Sequence, residues 1–273
     1  MSLGIVLALA CAAVTQLAFL CKHRGAAAAP AVELARPLAS AKALLGSRWF
    51  AVGMGIAAVA WVLHVAALAL APLSVVQVSL ASGVVMLAVL GDRAFGCQVG
   101  ARQWAGALLT AAGLVLLVVT LPRASGSSEF AVPALLAFEA GTLALGALLI
   151  VAPRLGAPAH HHGVVLGAAA GVLFGVSDVA VKALAEGGFA SPWLPVAALA
   201  SVLAFLASAR GFQQGDAVPV IATTSTAANV TVIVGGITVF GDALAGGVLL
   251  AVQLVAFALV AASAFITPAR AVA

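Results

Sequence analysis

Stretches of about 20 apolar residues, the length that carries an α-helix across a hydrocarbon core, recur through this chain. They cover 2–21, 49–70, 73–91, 103–121, 131–152, 163–184, 192–209, 217–238 and 243–266. Lipid offers a backbone no hydrogen-bonding partner, so each stretch must satisfy its own N–H and C=O groups and is expected to be a helix. The expected fold class is all-α, a polytopic membrane protein of about nine transmembrane helices. Composition agrees: 64% of the 273 residues are hydrophobic and only 7% are charged, where soluble domains carry roughly 25%.

The few charges set the orientation. Between the first two stretches, "AVELARPLASAKALL" carries Glu33, Arg36, Pro37 and Lys42. That is too much polarity for a span, and 22–48 reads as a segment on the membrane surface. With the N-terminus outside, Lys22, Arg24, Arg36, Lys42, Arg48, Arg93, Arg102, Arg154, Arg210 and Arg270 fall inside, leaving Arg123 and Lys182 of the 12 basic residues outside. Such a bias follows the positive-inside rule and puts the C-terminus inside as well. No basic residue precedes the first stretch, the reverse of a secretory signal peptide, so a permanent span is expected there. The net charge of +4 thus reports topology and calls for no nucleic-acid partner; the bilayer is the expected surrounding. Cys11, Cys21 and Cys97 are scattered, with neither metal-ligand nor disulfide spacing.

Two segments resemble each other, "APLSVVQVSLASGVVMLAVLGDRA" (71–94) and "GDAVPVIATTSTAANVTVIVGGITVFGDAL" (215–244). Each runs from a proline-containing turn through a span of small residues to Gly-Asp, at Asp92 and Asp242. Aligning them makes 1–121 a first repeat of four spans and 131–266 a second of five, with equivalent spans running in opposite directions. Inverted repeats are a common plan of secondary transporters, whose binding sites lie between the halves near the membrane midplane. Shared Ala/Val/Gly composition would also make two spans look alike.

These segments, with "RQWAGALLTAAGLVLLV" (102–118) and "GVLFGVSDVAVKAL" (171–184), resemble the drug/metabolite transporter superfamily in its EamA-like branch. The resemblance implies two inverted five-helix repeats with the first helix lacking here, which accounts for the outside N-terminus. The nine-span plan with "CKHRGA" after the first span is most similar to NIPA-type magnesium transporters and their bacterial relatives. Gly91-Asp92 and Gly241-Asp242 stand where that family often has Gly-Glu.

In 163–184, Gly163, Gly167, Gly171 and Gly175 recur every fourth residue, the spacing that lets another helix approach closely. At about 100° per residue these glycines form one face, and Asp178 and Lys182 fall on it. That face is expected to turn toward the partner half. Asp178 should then point into protein or a water-filled cavity, with Lys182, one turn on, pairing with it or reaching the outer surface. A charge inside a membrane is a functional candidate by default, although a structural ion pair near the helix end would explain the two equally well.

Glu139 is the other carboxylate inside a span, with Thr142 on the same helix. Either carboxylate, in a cavity, could exchange protons with the solvent, or Glu139 could be a hydrogen-bonded packing group. His64 lies in mid-span beside Trp61 and could line a cavity or sit neutral in the core. Gln16, Gln77 and Gln253 place amides in spans, for substrate or for interhelical hydrogen bonds; Gln77, just after the turn at Pro72, is the favoured cavity residue. "ATTSTAAN" (222–229) is the densest uncharged polar run. Its Thr224 could bind a polar solute or bond back to the carbonyl one turn earlier, which Asn229 does less easily. Adjacent histidines at 160–162 rarely converge on one ion, so no metal site is assigned.

These features point to a secondary transporter in the cell membrane, moving a small polar or amphipathic solute by alternating access, with proton coupling as an option. A magnesium transporter would need Glu139 and Asp178 to converge, since magnesium prefers carboxylate and water oxygens. A membrane assembly partner with dispersed, packed polar residues is a third reading, and a homodimer is left open. No nucleophile-base pair and no His/Glu metal motif falls within a span, and there is no G-x-x-x-x-G-K-S/T loop, so neither an enzyme nor a cofactor is expected.

Overall fold

A computed structural model describes residues 2–33, 36–70, 82–96, 100–120, 131–187, 193–241 and 246–266. Gln77, Cys97 and Asp242 lie outside the described residues. The α-helices among those described are α1 (Ser2–Ala27), α2 (Pro37–Gly46), α3 (Arg48–Leu70), α4 (Gly83–Ala94), α5 (Ala101–Thr120), α6 (Val132–Val151), α7 (His162–Gly187), α8 (Trp193–Gln214), α9 (Ala217–Val239) and α10 (Val248–Ile266). Two short 3-10 turns, Ala152–Leu155 and Ala159–His161, carry the chain from α6 to α7.

Five segments are long and apolar enough to cross a bilayer: Leu3–Ala27, Val132–Leu155, Ala159–Leu184, Trp193–Gln214 and Ala217–Val239. A sixth results if α2 and α3, bent by 93° at their junction, act as one. Ala101–Leu117 and Val248–Val260 are apolar but shorter. Large apolar side chains including Val59, Leu148, Leu199 and Val248 remain exposed on the outer faces, a surface suited to lipid rather than water. The chain has the build of a multi-pass helical membrane protein.

The first helix continues to Ala27, past residue 21 where the apolar run stops. "KHRGAA" (22–27) holds no helix-breaking proline, and its polar side chains find partners. His23 Nε2 lies 3.0 Å from the carbonyl oxygen of Gly215, and Arg24 stacks over the Trp49 ring at 4.4 Å. Lys22 therefore sits on the bundle helix and not in the surface segment expected from residue 22 onward.

The glycine stripe of α7 is a packed face, as its spacing predicts. Gly163 abuts Gly215, Gly167 abuts Val220 and Thr224, Gly171 abuts Ala227 and Ala228, and Gly175 abuts Thr231. Its neighbour is α9, however, in the same half of the chain, and not the other half as expected. Side chains on the stripe would hold the two backbones apart.

The bundle has two groups of helices. One is α1 with α3 and α4; the other is α7 with α6, α8 and α9; α5 pairs with α10. At one end the groups are sealed together by a core in which Leu20, Phe50 and Leu87 meet Leu206, Phe212 and Ile221. At the opposite end, Leu135, Phe138, Val179 and Val239 form a core confined to the second group. The groups are thus joined at one end, leaving a space between them toward the other.

Candidate functional site

That space is a cavity of about 490 Å³ lined from both groups. From α1 come Cys11, Thr15, Gln16, Phe19 and Lys22; from α3, Trp61 and His64; from α7, Phe174 and Asp178; from α9, Thr224, Ser225 and Asn229. Cys11, Thr15, Phe19 and Lys22 lie on one helical face by their three- and four-residue steps, as do Ala57, Trp61 and His64, so each helix contributes a single stripe. The volume falls in the range of about 300–1,000 Å³ usual for small-molecule pockets.

Five of the residues singled out in the sequence meet here: Asp178, His64, Gln16, Thr224 and Asn229. Asp178 and Asn229 line the cavity yet remain exposed, so this end is accessible from outside the bundle. Gln16 is 6% exposed, and its Oε1 is closed off from the cavity with no hydrogen-bond partner among the described residues, a net cost to the fold. Thr224 is committed to the fold, its hydroxyl donating to the Gly167 carbonyl at 3.0 Å and the Val220 carbonyl at 2.9 Å. Asn229 does bond back along its helix, contrary to expectation: Nδ2 donates to the Ser225 carbonyl at 2.8 Å. A turn of helix brings that carbonyl within reach of the short amide, and Oδ1 is left as an acceptor.

Other expectations do not hold. Lys182 is not the charge partner of Asp178. Its ammonium lies over the Phe240 ring, 3.8 Å from the centroid, and among the described residues the ion pair is that of Arg36 with Glu33. The aromatic face at the start of the turn after α9 gives the lysine a cation-π contact without requiring it to bend back over the helix. Glu139 does not line the cavity. It is 4% exposed in α6, Oε1 has no partner among the described residues, and Thr142 donates to the backbone carbonyls of Phe138 and Glu139 instead of to the carboxyl.

Gln253 is fully buried and donates to the Thr120 carbonyl at 3.1 Å, tying α10 to α5. Of the three adjacent histidines, His162 Nε2 lies 2.7 Å from the Ala157 carbonyl oxygen, and the His160 and His161 rings stack at 3.9 Å. Among the described residues no group of three His, Cys, Asp or Glu side chains is placed to hold a metal.

The cavity residue that sequence reasoning missed is Lys22. Its ammonium reaches back over the Phe19 ring, 4.2 Å from the centroid, and no carboxylate pairs with it among the described residues. The signal was present, since Cys11, Thr15, Phe19 and Lys22 fall in helical register in the sequence, but the end of the apolar run at residue 21 concealed it.

At the closed end, a set of polar contacts links the two groups. Gln213 Nε2 donates to the carbonyls of Ala26 and Pro30 at 3.0 and 2.9 Å, and its Oε1 accepts from the Val32 amide at 2.9 Å. Arg210 donates to the Val32 carbonyl at 2.6 Å. This cluster ties the end of α8 to the segment after α1.

No family model, no curated protein and no solved structure matches this chain.

Proposed function

We propose that this protein is a secondary transporter of the cell membrane, moving a small polar or amphipathic solute by alternating access through the cavity between its halves. The observation that carries the reading is the meeting of Lys22, Gln16, His64, Asp178 and Asn229, from both halves of the chain, on one space of solute size. Polar side chains within spans cost free energy, and their gathering on one cavity is better explained by a solute than by packing. The same gathering favours transport over an assembly role.

The packing is also consistent with a nine-span inverted repeat. α1 packs on α3 and α4 as α7 packs on α8 and α9, while α5 and α10, equivalent under the repeat, pair with each other. The drug/metabolite transporter resemblance agrees with that plan. A core and a polar cluster close one end while Asp178 stands exposed at the other, which corresponds to one of the two access states; with the N-terminus outside, it is the outward-facing one.

A magnesium site is less well supported, because of the two carboxylates inside spans only Asp178 lines the cavity. Asp178 is for the same reason the favoured proton carrier. In vesicles containing the purified protein, a panel of polar and amphipathic solutes should include at least one whose flux exceeds that of empty vesicles. Asp178→Asn should cut that flux, and any proton movement coupled to it, about tenfold or more, while Glu139→Gln keeps both. Wild-type flux equal to empty vesicles for every solute would sink the reading.

A further inference from the structure

The cavity holds two unlike charges that do not neutralise each other. Lys22 lines it near the closed end and Asp178 near the exposed end, and neither has an ionic partner among the described residues. Their separation follows from the helices that carry them. Gly163 abuts Gly215, and the Gly215 carbonyl lies against His23, so the start of α7 is level with Lys22. Asp178, fifteen residues further along α7, stands about 22 Å of helical rise above that level. Lys22 reaches back one turn to Phe19, as side chains on a helix lean toward its N-terminus. Once both side chains are allowed for, the ammonium and the carboxylate stand on the order of 10 Å apart.

We propose that the solute of this cavity is an elongated zwitterion, its anionic group held by Lys22 and its cationic group by Asp178, with an apolar middle. The proposal rests on the transporter reading and names its substrate class. Between the charges the wall is formed mainly by the rings of Phe19, Trp61 and Phe174, against which the apolar middle of such a molecule packs. Charges this far apart do not suit an α-amino acid, whose ammonium and carboxylate are only a few ångströms from each other. They suit an ω-amino acid or a short peptide. Low dielectric strengthens both contacts, and leaving either unmet costs affinity.

The test is binding of ω-amino acids of increasing chain length to the purified protein, followed by the fluorescence of Trp61 with the other tryptophans replaced by phenylalanine. Octanoate, octylamine and alanine serve as singly charged and short comparators. The affinity should peak well beyond alanine, at about four to nine carbons once the two charge contacts of about 2.8 Å are allowed for, and exceed that of octanoate and octylamine by about tenfold or more. Lys22→Gln should bring the zwitterion down to the level of octylamine, Lys22→Arg should restore it, and Asp178→Asn should bring it down to the level of octanoate. Unfolding temperatures close to wild type identify the variants that remain folded. Octanoate or octylamine binding as tightly as every zwitterion overturns the proposal, as does alanine matching the long members. Vesicle flux is measured alongside. Flux without the charge order overturns the substrate class and leaves transport standing; the charge order without flux overturns transport and leaves the binding assignment standing.

Discussion

The Thr224 hydroxyl donates to the carbonyl oxygen of Gly167, 3.0 Å away on the facing helix. The bond is possible because α7 presents hydrogen atoms where other helices present side chains, so that α9 lies close enough for a short hydroxyl to reach across. That close seam also sets the cavity wall, since Thr224 and Asn229 on α9 and Asp178 on α7 flank it on the cavity side.

Opening the seam should therefore destabilise the bundle. A Cβ on Gly171 would collide with the Thr224 carbonyl and with Ala227, whereas one on Gly141 meets nothing within 4 Å. Gly171→Val should cost about 1–3 kcal/mol or more. Gly141→Ala, in the interior of α6, should be neutral or stabilising by up to about 1 kcal/mol. Thermal unfolding of the detergent-solubilised protein followed by tryptophan fluorescence measures both, and equal midpoints for the two variants would contradict the close seam.

The closed end of the cavity depends on Gln213, whose amide joins the carbonyls of Ala26 and Pro30 and the amide of Val32 to α8. Gln213→Ala leaves those groups seeking water, at about 1–3 kcal/mol, and should loosen this end first. Cys21, buried in α1 nearby, reports the opening. With Cys11 and Cys97 replaced by alanine, alkylation of Cys21 by a maleimide should be about tenfold faster in the variant, each 1.4 kcal/mol of easier opening being worth that factor. An unchanged rate would mean that the apolar core of Leu20, Phe50 and Phe212 holds the end closed without help.

Asp178 and Lys182 are a turn apart on α7 but serve different neighbours, the cavity and the Phe240 ring. Asp178→Asn, Lys182→Gln and the double variant should be additive in stability to within about 0.5 kcal/mol. A coupling well above that in the double-mutant cycle would restore the ion pair. Phe240→Leu should release the lysine head, losing about 0.5–1 kcal/mol of cation-π contact in addition to the packing of a buried ring that shares a core with Val179 and Val239.

Much of this protein was legible before any coordinates. Run length and scarcity of charge marked helices for a membrane, and four glycines at four-residue spacing marked a packed face. Those inferences are sound because they rest on properties of one helix at a time: the cost of unsatisfied backbone in lipid and the 3.6-residue period. Even the span ends were only approximate, as the extension of α1 from residue 21 to Ala27 shows, because hydropathy counts Lys22 and His23 as loop while the helix continues as long as their heads find partners.

The sequence by itself determined that polar groups would be few and costly; only the tertiary structure decided which of them meet. Asp178 and Glu139 have nearly the same local setting, one carboxylate in an apolar helix, yet one lines a cavity and the other is buried away from it. The glycine stripe put Asp178 on a packed face without saying what lay beyond it, and nothing within α6 told which way Glu139 would turn. Rotation of a helix about its axis is set by every neighbour it packs against, so the face a residue presents is a property of the whole bundle. The same holds for Lys22 and Lys182, of which the sequence favoured the one beside Asp178. Packing instead put that lysine on an aromatic ring and turned Lys22 toward the cavity from the other half of the chain.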